Sequence, residues 1–237
     1  MDRVDQIFAQ LDDWRHLPTY QLERRADIFF SLYLPKILKA ATGIEINDIV
    51  IPEFPLHTKT LFPKAGNNQS YRADYFALSK NRKRAFLIEL KTDGQSNRDA
   101  QDRYLNKAKE VRLPKLLKGL RNVFEVTNQK RKYFCLFKKL EALGLVTNLA
   151  EFEGIMKQER LNGFKAALAD GAQTSDLDPD ISLICIQPAL CSKRDNGRPF
   201  DGWISFEDVR KVVSRHKDSV SIRFAESLKD WKTPAGE

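Results

Sequence analysis

Three side chains in the first half of the chain have the types and spacing needed to hold a divalent cation beside a phosphate. Asp74 lies in one largely apolar segment, and Glu89 and Lys91 lie in the next. Mg²⁺ lowers the pKa of bound water, offsets charge on phosphoryl oxygens and prefers carboxylate ligands together with water and substrate phosphate. The two acids could hold Mg²⁺, or Mn²⁺ in its place, while the lysine orients the attacking water. This chemistry is phosphodiester hydrolysis.

Two predicted β-strands must bring these side chains together. Residues 71–78 and 85–91 are apolar segments joined by a charged hairpin tip. If the hairpin loop holds four residues, Asp74 lies directly opposite Glu89 and shares a face of the sheet with it. Lys91 points the same way, because side chains two apart along a strand lie on one face. A register shift of one residue would put the acids on opposite faces.

The surrounding sequence predicts an α/β fold in which helices flank a mixed central sheet. Apolar residues at helical spacing predict the helices, and continuous apolar runs predict the strands. The helices cover residues 4–14, 19–41, 97–111, 206–214 and 219–231, and the further strands cover residues 48–56 and 181–187. Residues 113–170 are predicted to be mainly helical, with breaks at Pro114, Gly119 and Gly144.

The length of the chain suits a single domain with one insertion. Its 237 residues are 42% hydrophobic and 10% aromatic, which is enough to bury a full core. We expect residues 19–111 and 181–215 to form the core of a domain that spans residues 1–237. A basic helical insertion is expected over residues 112–180.

Asp74 and Glu89-Leu90-Lys91 together resemble the motif of the PD-(D/E)XK nuclease superfamily, which includes restriction enzymes, Holliday-junction resolvases and RecB-like exonucleases. The resemblance implies a restriction-endonuclease-like αβββαβ core, with Asp74 and Glu89 as metal ligands and Lys91 as the catalytic lysine. Ala73 stands where the name of the motif has a proline, which is a frequent variation. The implied activity is that of a Mg²⁺-dependent deoxyribonuclease.

A second match lies on the helix that follows the hairpin, in Gln101-Asp102-Arg103-Tyr104. This sequence is similar to the QxxY element of RecB-like members, which implies that Gln101 and Tyr104 position the substrate near the metal. The structural alternative is an ordinary polar helix position and a half-buried tyrosine.

The resemblance also implies an additional acid on the first helix, usually a glutamate that helps to bind the metal. Glu23 is the better placed candidate, and Glu53 in the predicted edge strand is its competitor. Glu23 could equally be an acid that the dipole at the start of a helix favours. Both assignments stay open at this point.

Positive charge is concentrated in one segment of the chain. The formal net charge is +8, but residues 103–139 hold twelve Lys and Arg against two acids, which leaves −2 for the rest. Such a segment favours a nucleic-acid partner, which we expect to be DNA, although charge runs more often form a solvated face. The cationic candidates for substrate binding are Arg72, Arg103 and Lys107, and Arg72 is expected to face Lys91 across the hairpin.

The cysteine and histidine content argues against several other kinds of site. Cys135, Cys185 and Cys191 are odd in number and lack CxxC spacing, which disfavours a disulfide framework and a structural zinc site. The three histidines form no HExxH or H-x-E pattern. Charge interrupts every apolar run before membrane-spanning length, so we expect a cytoplasmic protein with no membrane partner, as a monomer or a homodimer.

Two other functions could use the same features. A non-catalytic nucleic-acid-binding protein could keep the fold, but the complete set of Asp74, Glu89 and Lys91 speaks against it. A regulatory domain could instead bind an acidic protein partner through its basic face. Metal-dependent cleavage distinguishes the first alternative, and the salt dependence of DNA binding distinguishes the second.

Overall fold

Helices and strands follow one another in the order expected from the sequence, with one short helix and three short strands added. The structure, a computed structural model, describes residues 2–64, 70–92, 99–189 and 198–232. The helices are α1 (Arg3–Trp14), α2 (Leu22–Thr42), α3 (Thr58–Leu61), α4 (Asp99–Val111), α5 (Leu113–Val126), α6 (Lys130–Ala142), α7 (Ala150–Lys157), α8 (Phe164–Asp170), α9 (Phe206–Val213) and α10 (Ser219–Asp230). The strands are β1 (Ile51–His57), β2 (Ser70–Leu78), β3 (Arg84–Leu90), β4 (Val146–Thr147), β5 (Gln173–Thr174), β6 (Asp180–Gln187) and β7 (Gly202–Ser205). None of the helices in these ranges combines the length and the apolar character that a membrane crossing needs.

Five strands form a mixed sheet in the order β1-β2-β3-β6-β7. β1, β2 and β3 are successive antiparallel neighbours, whereas β6 runs parallel to β3 and β7 runs parallel to β6. The chain is therefore a mixed α/β protein. The sequence does not predict β7 or the ribbon of β4 and β5, because strands of two to four residues are too short to show a periodic pattern.

The hairpin of β2 and β3 has the register that the sequence predicts. Leu78 pairs with Ala85, and Tyr75 pairs with Ile88. This pairing corresponds to a hairpin loop of four residues, and it fixes which side chains of the two strands share a face. The two predicted acids come next along the strands, beyond Tyr75 and Ile88.

The sheet separates two apolar cores, one on each face. Alternate side chains of a strand point to opposite faces, so Phe76 and Leu87 enter one core while Tyr75 and Ile88 enter the other. Helices α4 to α8 complete the first core, and α1, α2, α9 and α10 complete the second. β6 is buried over most of its length, as a central parallel strand requires.

Several helix boundaries follow local sequence signals. Ser205 accepts a hydrogen bond from the Asp208 amide at 3.1 Å and donates its own amide to the Asp208 carboxylate at 3.2 Å, which forms a capping box at the start of α9. α5 begins beside Pro114, and the chain turns at Gly144 with a φ of 70° that glycine tolerates. α4 covers the helix predicted over residues 97–111 except for its first two residues, which lie outside the described part of the chain.

The predicted helix break at Gly119 is wrong. Gly119 lies in the middle of α5, where this helix packs against α3. A Cβ at this position would lie 3.0 Å from the Cβ of Thr60 and closer still to the Thr60 hydroxyl. The glycine therefore permits two helices to approach closely and does not interrupt either of them.

Replacing Gly119 with Ala should destabilise the fold, although alanine is the better helix former. The added Cβ must displace α5 from Thr60, and overpacking of this kind costs about 1–3 kcal/mol, more than the ~1 kcal/mol gained in helix propensity. Gly154→Ala in α7 is the matched control, because a Cβ there meets nothing within 4 Å. Urea unfolding should give a lower midpoint for G119A and an unchanged or higher one for G154A. The opposite order would contradict the close packing.

Candidate functional site

A cleft of about 540 Å³ opens at the end of the sheet where β2 begins and β3 ends. Its walls come from the start of α2, from β1 and β2, and from α4. The predicted site residues that line it are Glu23, Glu53, Arg72, Asp74, Lys91, Gln101 and Tyr104. Glu89 is fully buried beside them, whereas Arg103 and Lys107 lie on α4 outside the lining.

Where the pairing of β2 with β3 ends, the side chain of Asp74 accepts the hydrogen bond that a backbone carbonyl would otherwise accept. The last Cα pair is Tyr75 with Ile88, and beyond it Oδ2 of Asp74 accepts a hydrogen bond from the Leu90 amide at 2.7 Å. The Asp74 carboxyl also lies within hydrogen-bonding reach of the Glu89 carboxyl. The two acids therefore meet where the strands separate.

Lys91 and Gln101 both contact the carboxylate of Glu89. The Lys91 Nζ lies 3.3 Å from Glu89 Oε2, and the side-chain amide of Gln101 donates to the same oxygen. The backbone amide of Lys91 donates to the carbonyl of Ile186 at 2.8 Å, which fixes this residue to β6. The other oxygen, Oε1 of Glu89, is buried and accepts no hydrogen bond from a nitrogen or hydroxyl donor in the described part of the chain.

Burial and the neighbouring charges control the protonation of Asp74, Glu89 and Lys91. Burial raises the pKa of Glu89 well above its ordinary value, the charge of Asp74 raises it further, and Lys91 opposes the shift. Burial also raises the pKa of Asp74, against the hydrogen bond from Leu90. For Lys91, burial lowers the pKa, but the surrounding carboxylates, Glu89 foremost, raise it overall. The lysine therefore keeps its charge, and the two acids favour sharing a proton.

The donor set fits a small divalent cation. The buried carboxylate of Glu89 and the half-buried carboxylate of Asp74 repel each other and need a positive partner. One oxygen of Glu89 also has a free lone pair. Among the described residues, no group of three or more His, Cys, Asp or Glu side chains is arranged to hold an ion. Two carboxylates nevertheless suit Mg²⁺, which keeps several waters and takes one or two protein carboxylates.

The two residues of the QxxY element make different contacts. Gln101 binds the carboxylate of Glu89, whereas the hydroxyl of Tyr104 donates to the backbone carbonyl of Arg72 at 2.8 Å. Burial raises the pKa of Tyr104, and the charge of Glu89 adds to this effect, so the phenol stays neutral and able to donate. One residue thus positions an acid, and the other fixes α4 to β2.

Both candidates for the additional acid lie in the cleft. Glu23 is in the first turn of α2 and is close enough for its charge to act on Lys91. Glu53 has a φ of 50°, a left-handed conformation that is strained for a residue other than glycine, and its carboxylate binds Arg72 at 3.2 Å. Arg72 is therefore held by Glu53, and the expected pairing of Arg72 with Lys91 is wrong because the pairing of β2 with β3 ends at Tyr75.

Much of the positive charge in residues 103–139 is bound within the chain. The bound side chains are Lys107, Lys109, Arg112, Lys118 and Lys138 on carboxylates, and Arg121, Lys130 and Arg131 on backbone carbonyls. Most of the carboxylates come from residues 141–201, so a count over the segment alone does not include them. The segment is therefore less available to phosphate groups than its sequence indicates.

Arg198 is a supporting residue that the sequence gives no signal for. Its guanidinium forms two hydrogen bonds of 2.6 Å with the carboxylate of Asp102 and lies near the rings of Phe200 and Trp203, at 4.9 and 5.5 Å from their centroids. The side chain is 8% exposed. Asp102 follows Gln101 in α4, and Gln101 contacts Glu89. The ion pair between Arg198 and Asp102 therefore anchors the helix that carries this contact.

Comparisons with known proteins do not identify the chain. No protein-family model, curated protein or solved structure matches it. Among the described residues, Cys135 and Cys185 form no disulfide, and Cys191 lies outside the described residues. The interpretation of the cleft therefore depends on the contacts and charges of its own side chains.

Replacing Glu89 with Gln should stabilise the protein near neutral pH. Burial raises the pKa of Glu89 above its ordinary value of 4.5, so above pH 4.5 the folded state binds more protons than the unfolded state. Stability must then fall as pH rises through this range, and a neutral glutamine avoids that loss. Thermal melting without added metal should show a higher Tm for E89Q at about pH 7.5, with the advantage lost at about pH 4.

Glu45→Gln provides the control for this measurement. Glu45 is an exposed residue whose pKa is lowered by its hydrogen bond with Lys39. Its replacement should therefore leave Tm unchanged or slightly lower near neutral pH. If E89Q melts below wild type at every pH, burial does not govern the protonation of Glu89.

Proposed function

We propose that this chain is a Mg²⁺-dependent nuclease of the PD-(D/E)XK type that hydrolyses phosphodiester bonds in DNA. One observation carries the proposal: Asp74, Glu89 and Lys91 converge at one end of the sheet beside a single cleft. Buried ion pairs contribute little to stability compared with apolar residues of similar size. Binding of a ligand therefore explains this group of three charged side chains better than a contribution to the stability of the fold.

Each side chain has a defined role in the proposed reaction. Asp74 and Glu89 would hold Mg²⁺, with Glu23 as the additional acid on the part of the cleft wall that α2 forms. When bound, this cation lowers the pKa of a water and offsets charge on the phosphate. Lys91 stays protonated and can orient a water or bind a phosphate oxygen. Gln101 keeps Glu89 in place through its side-chain amide.

The order of elements supports the same proposal. α2, β1, β2, β3, α4 and β6 follow one another in the αβββαβ order of the restriction-endonuclease-like core. We assign residues 19–111 and 181–215 to this core and residues 112–180 to a basic insertion within one domain. Helices α5 to α8 of the insertion pack on one face of the sheet, so the two parts share an apolar core.

The positive charge that remains exposed near the cleft supports DNA as the substrate. The formal net charge of the chain is +8. Arg24 and Arg72 are exposed cations that line the cleft, and Arg103 is exposed on α4 outside the lining. Lys107 is bound to Glu110 at 2.7 Å. Arg72 is bound in the same way to Glu53, but it lies on the wall of the cleft, whereas Lys107 lies outside the lining. Arg72 is therefore a better candidate than Lys107 for contacts with phosphate groups.

Replacing Lys91 with Ala should remove most of the DNA cleavage. Loss of one group that stabilises developing charge typically lowers kcat by roughly 10²–10³-fold. Lys229→Ala is the matched control, because Lys229 is exposed on α10 and does not line the cleft. Cleavage of labelled single-stranded and double-stranded DNA in Mg²⁺ measures both variants. Equal activity of K91A and wild type would eliminate the proposed mechanism.

Mg²⁺ or Mn²⁺ should raise the Tm of the wild-type protein but not that of Asp74→Asn. The cation would replace the proton that burial favours on the acid pair, so the shift in Tm should grow as pH rises. Differential scanning fluorimetry measures this shift, with NaCl of equal ionic strength as the control. A shift of the same size in NaCl, or in D74N, would contradict a metal site at these carboxylates.

A further inference from the structure

Three aromatic rings lead from the cleft towards the protein surface. The Tyr104 ring stacks on Tyr71, with centroids 4.5 Å apart and planes at 20°. Phe62 meets Tyr71 nearly at a right angle, with centroids 6.3 Å apart, and the guanidinium of Arg103 lies 5.2 Å from the centre of the Phe62 ring. We call these four side chains the aromatic platform.

The aromatic platform is fixed at its inner end and open to solvent at its centre. Tyr104 is 7% exposed, and its hydroxyl is bound to the carbonyl of Arg72. Tyr71 is 37% exposed, although its backbone is held by pairing with Leu56 in β1. Tyr71 and Tyr104 both line the cleft, so their rings face the same space as Asp74. An ordered ring surface with an exposed part is available to a flat ligand at a small entropic cost.

The charged groups of the proposed site are recessed, which restricts what can reach them. Glu89 is 0% and Lys91 4% exposed, and Asp74 is half-buried. The cleft of about 540 Å³ falls in the range of roughly 300–1,000 Å³ that encloses one small molecule. One nucleotide of an extended strand fits this space, whereas the two strands of a double helix, separated by a major groove about 12 Å wide, cannot both enter it.

We propose that the aromatic platform stacks against the bases of an unpaired DNA strand while a phosphate of that strand enters the cleft. Bases in a duplex are covered on both faces by their neighbours, but an unpaired base can stack on an aromatic ring. Arg103 lies over the Phe62 ring, and Arg72 follows Tyr71 in β2 with a side chain that stays largely exposed beside its partner Glu53. Both arginines supply positive charge for the backbone of the strand. The inference rests on the proposed nuclease function for the role of the cleft, and it makes single-stranded DNA the preferred substrate.

Binding can be measured apart from cleavage by using Ca²⁺ in place of Mg²⁺ and following the fluorescence anisotropy of a labelled oligothymidylate. Electrophoresis of the recovered strand checks that it is intact. Wild-type protein should bind the single strand at least about tenfold more tightly than a duplex that contains it. Tyr71→Ala should weaken single-strand binding by about tenfold, as expected for loss of one stacked base.

Two controls separate loss of stacking from loss of folding. Tyr71→Phe keeps the ring and should bind like wild type, and Ile222→Ala removes an exposed apolar side chain on α10 and should have no effect. A strand with abasic positions tests the same contact without any change to the protein. It should bind wild type about as weakly as the intact strand binds Y71A.

Equal binding of single strand and duplex by wild type, or of intact and abasic strands, would overturn the inference. Cleavage in Mg²⁺ then tells the two proposals apart. If wild type cleaves DNA but Y71A binds and cleaves single strands normally, the nuclease stands and the aromatic platform has no such role. If wild type binds single strands through Tyr71 but cleaves nothing, the stacking stands and the nuclease function fails.

Discussion

The carboxyl groups of Asp74 and Glu89 and the ammonium group of Lys91 lie together at the cleft, the last two buried and Asp74 half-buried. Much of the structure serves to hold them there. β2 supplies Asp74, whose carboxylate takes the amide of Leu90 in place of a backbone partner. β6 holds Lys91 through the carbonyl of Ile186, and α4 adds an amide from Gln101. Charges in such a place repel and are poorly solvated unless they are paired. The elements around them must therefore be rigid, and the parallel pairing of β3 with β6 supplies that rigidity.

The parts of the fold that depend on local periodicity could be predicted from the sequence. The strands of the hairpin are apolar runs with a charged tip between them, and the loop length alone fixes the register of Tyr75 against Ile88. Ser205 and Asp208 similarly mark the start of α9. Gly119 shows the limit of this reasoning, because a glycine that permits close packing has the same sequence signal as one that ends a helix. The difference is the neighbour, Thr60, which is distant in sequence.

The sequence predicts only the part of the candidate site that depends on the geometry of the hairpin strands and the helix that follows them. Asp74, Glu89 and Lys91 follow from the hairpin, and Gln101 from its position on the next helix. The pairing of Arg198 with Asp102 joins residues 96 positions apart and has no local signal. The partners of the basic residues in the segment 103–139 also have no local signal, because the acids that neutralise part of this segment come from later in the chain. The net charge counted over one segment of sequence therefore overstates the positive potential at the surface of the protein.

The strained edge of the sheet also bears on how copies of this chain can associate. β1 is one of the two edge strands, and Pro52 and Pro55 within it have no amide hydrogen to offer a further strand. The φ of 50° at Glu53 bends the backbone between them away from a regular extended path. An incoming strand would meet an interrupted row of donors and acceptors. Continuation of the sheet into a neighbouring molecule, in an ordered dimer or in an aggregate, is thus opposed beside the cleft, and β7 is the edge through which it would have to occur.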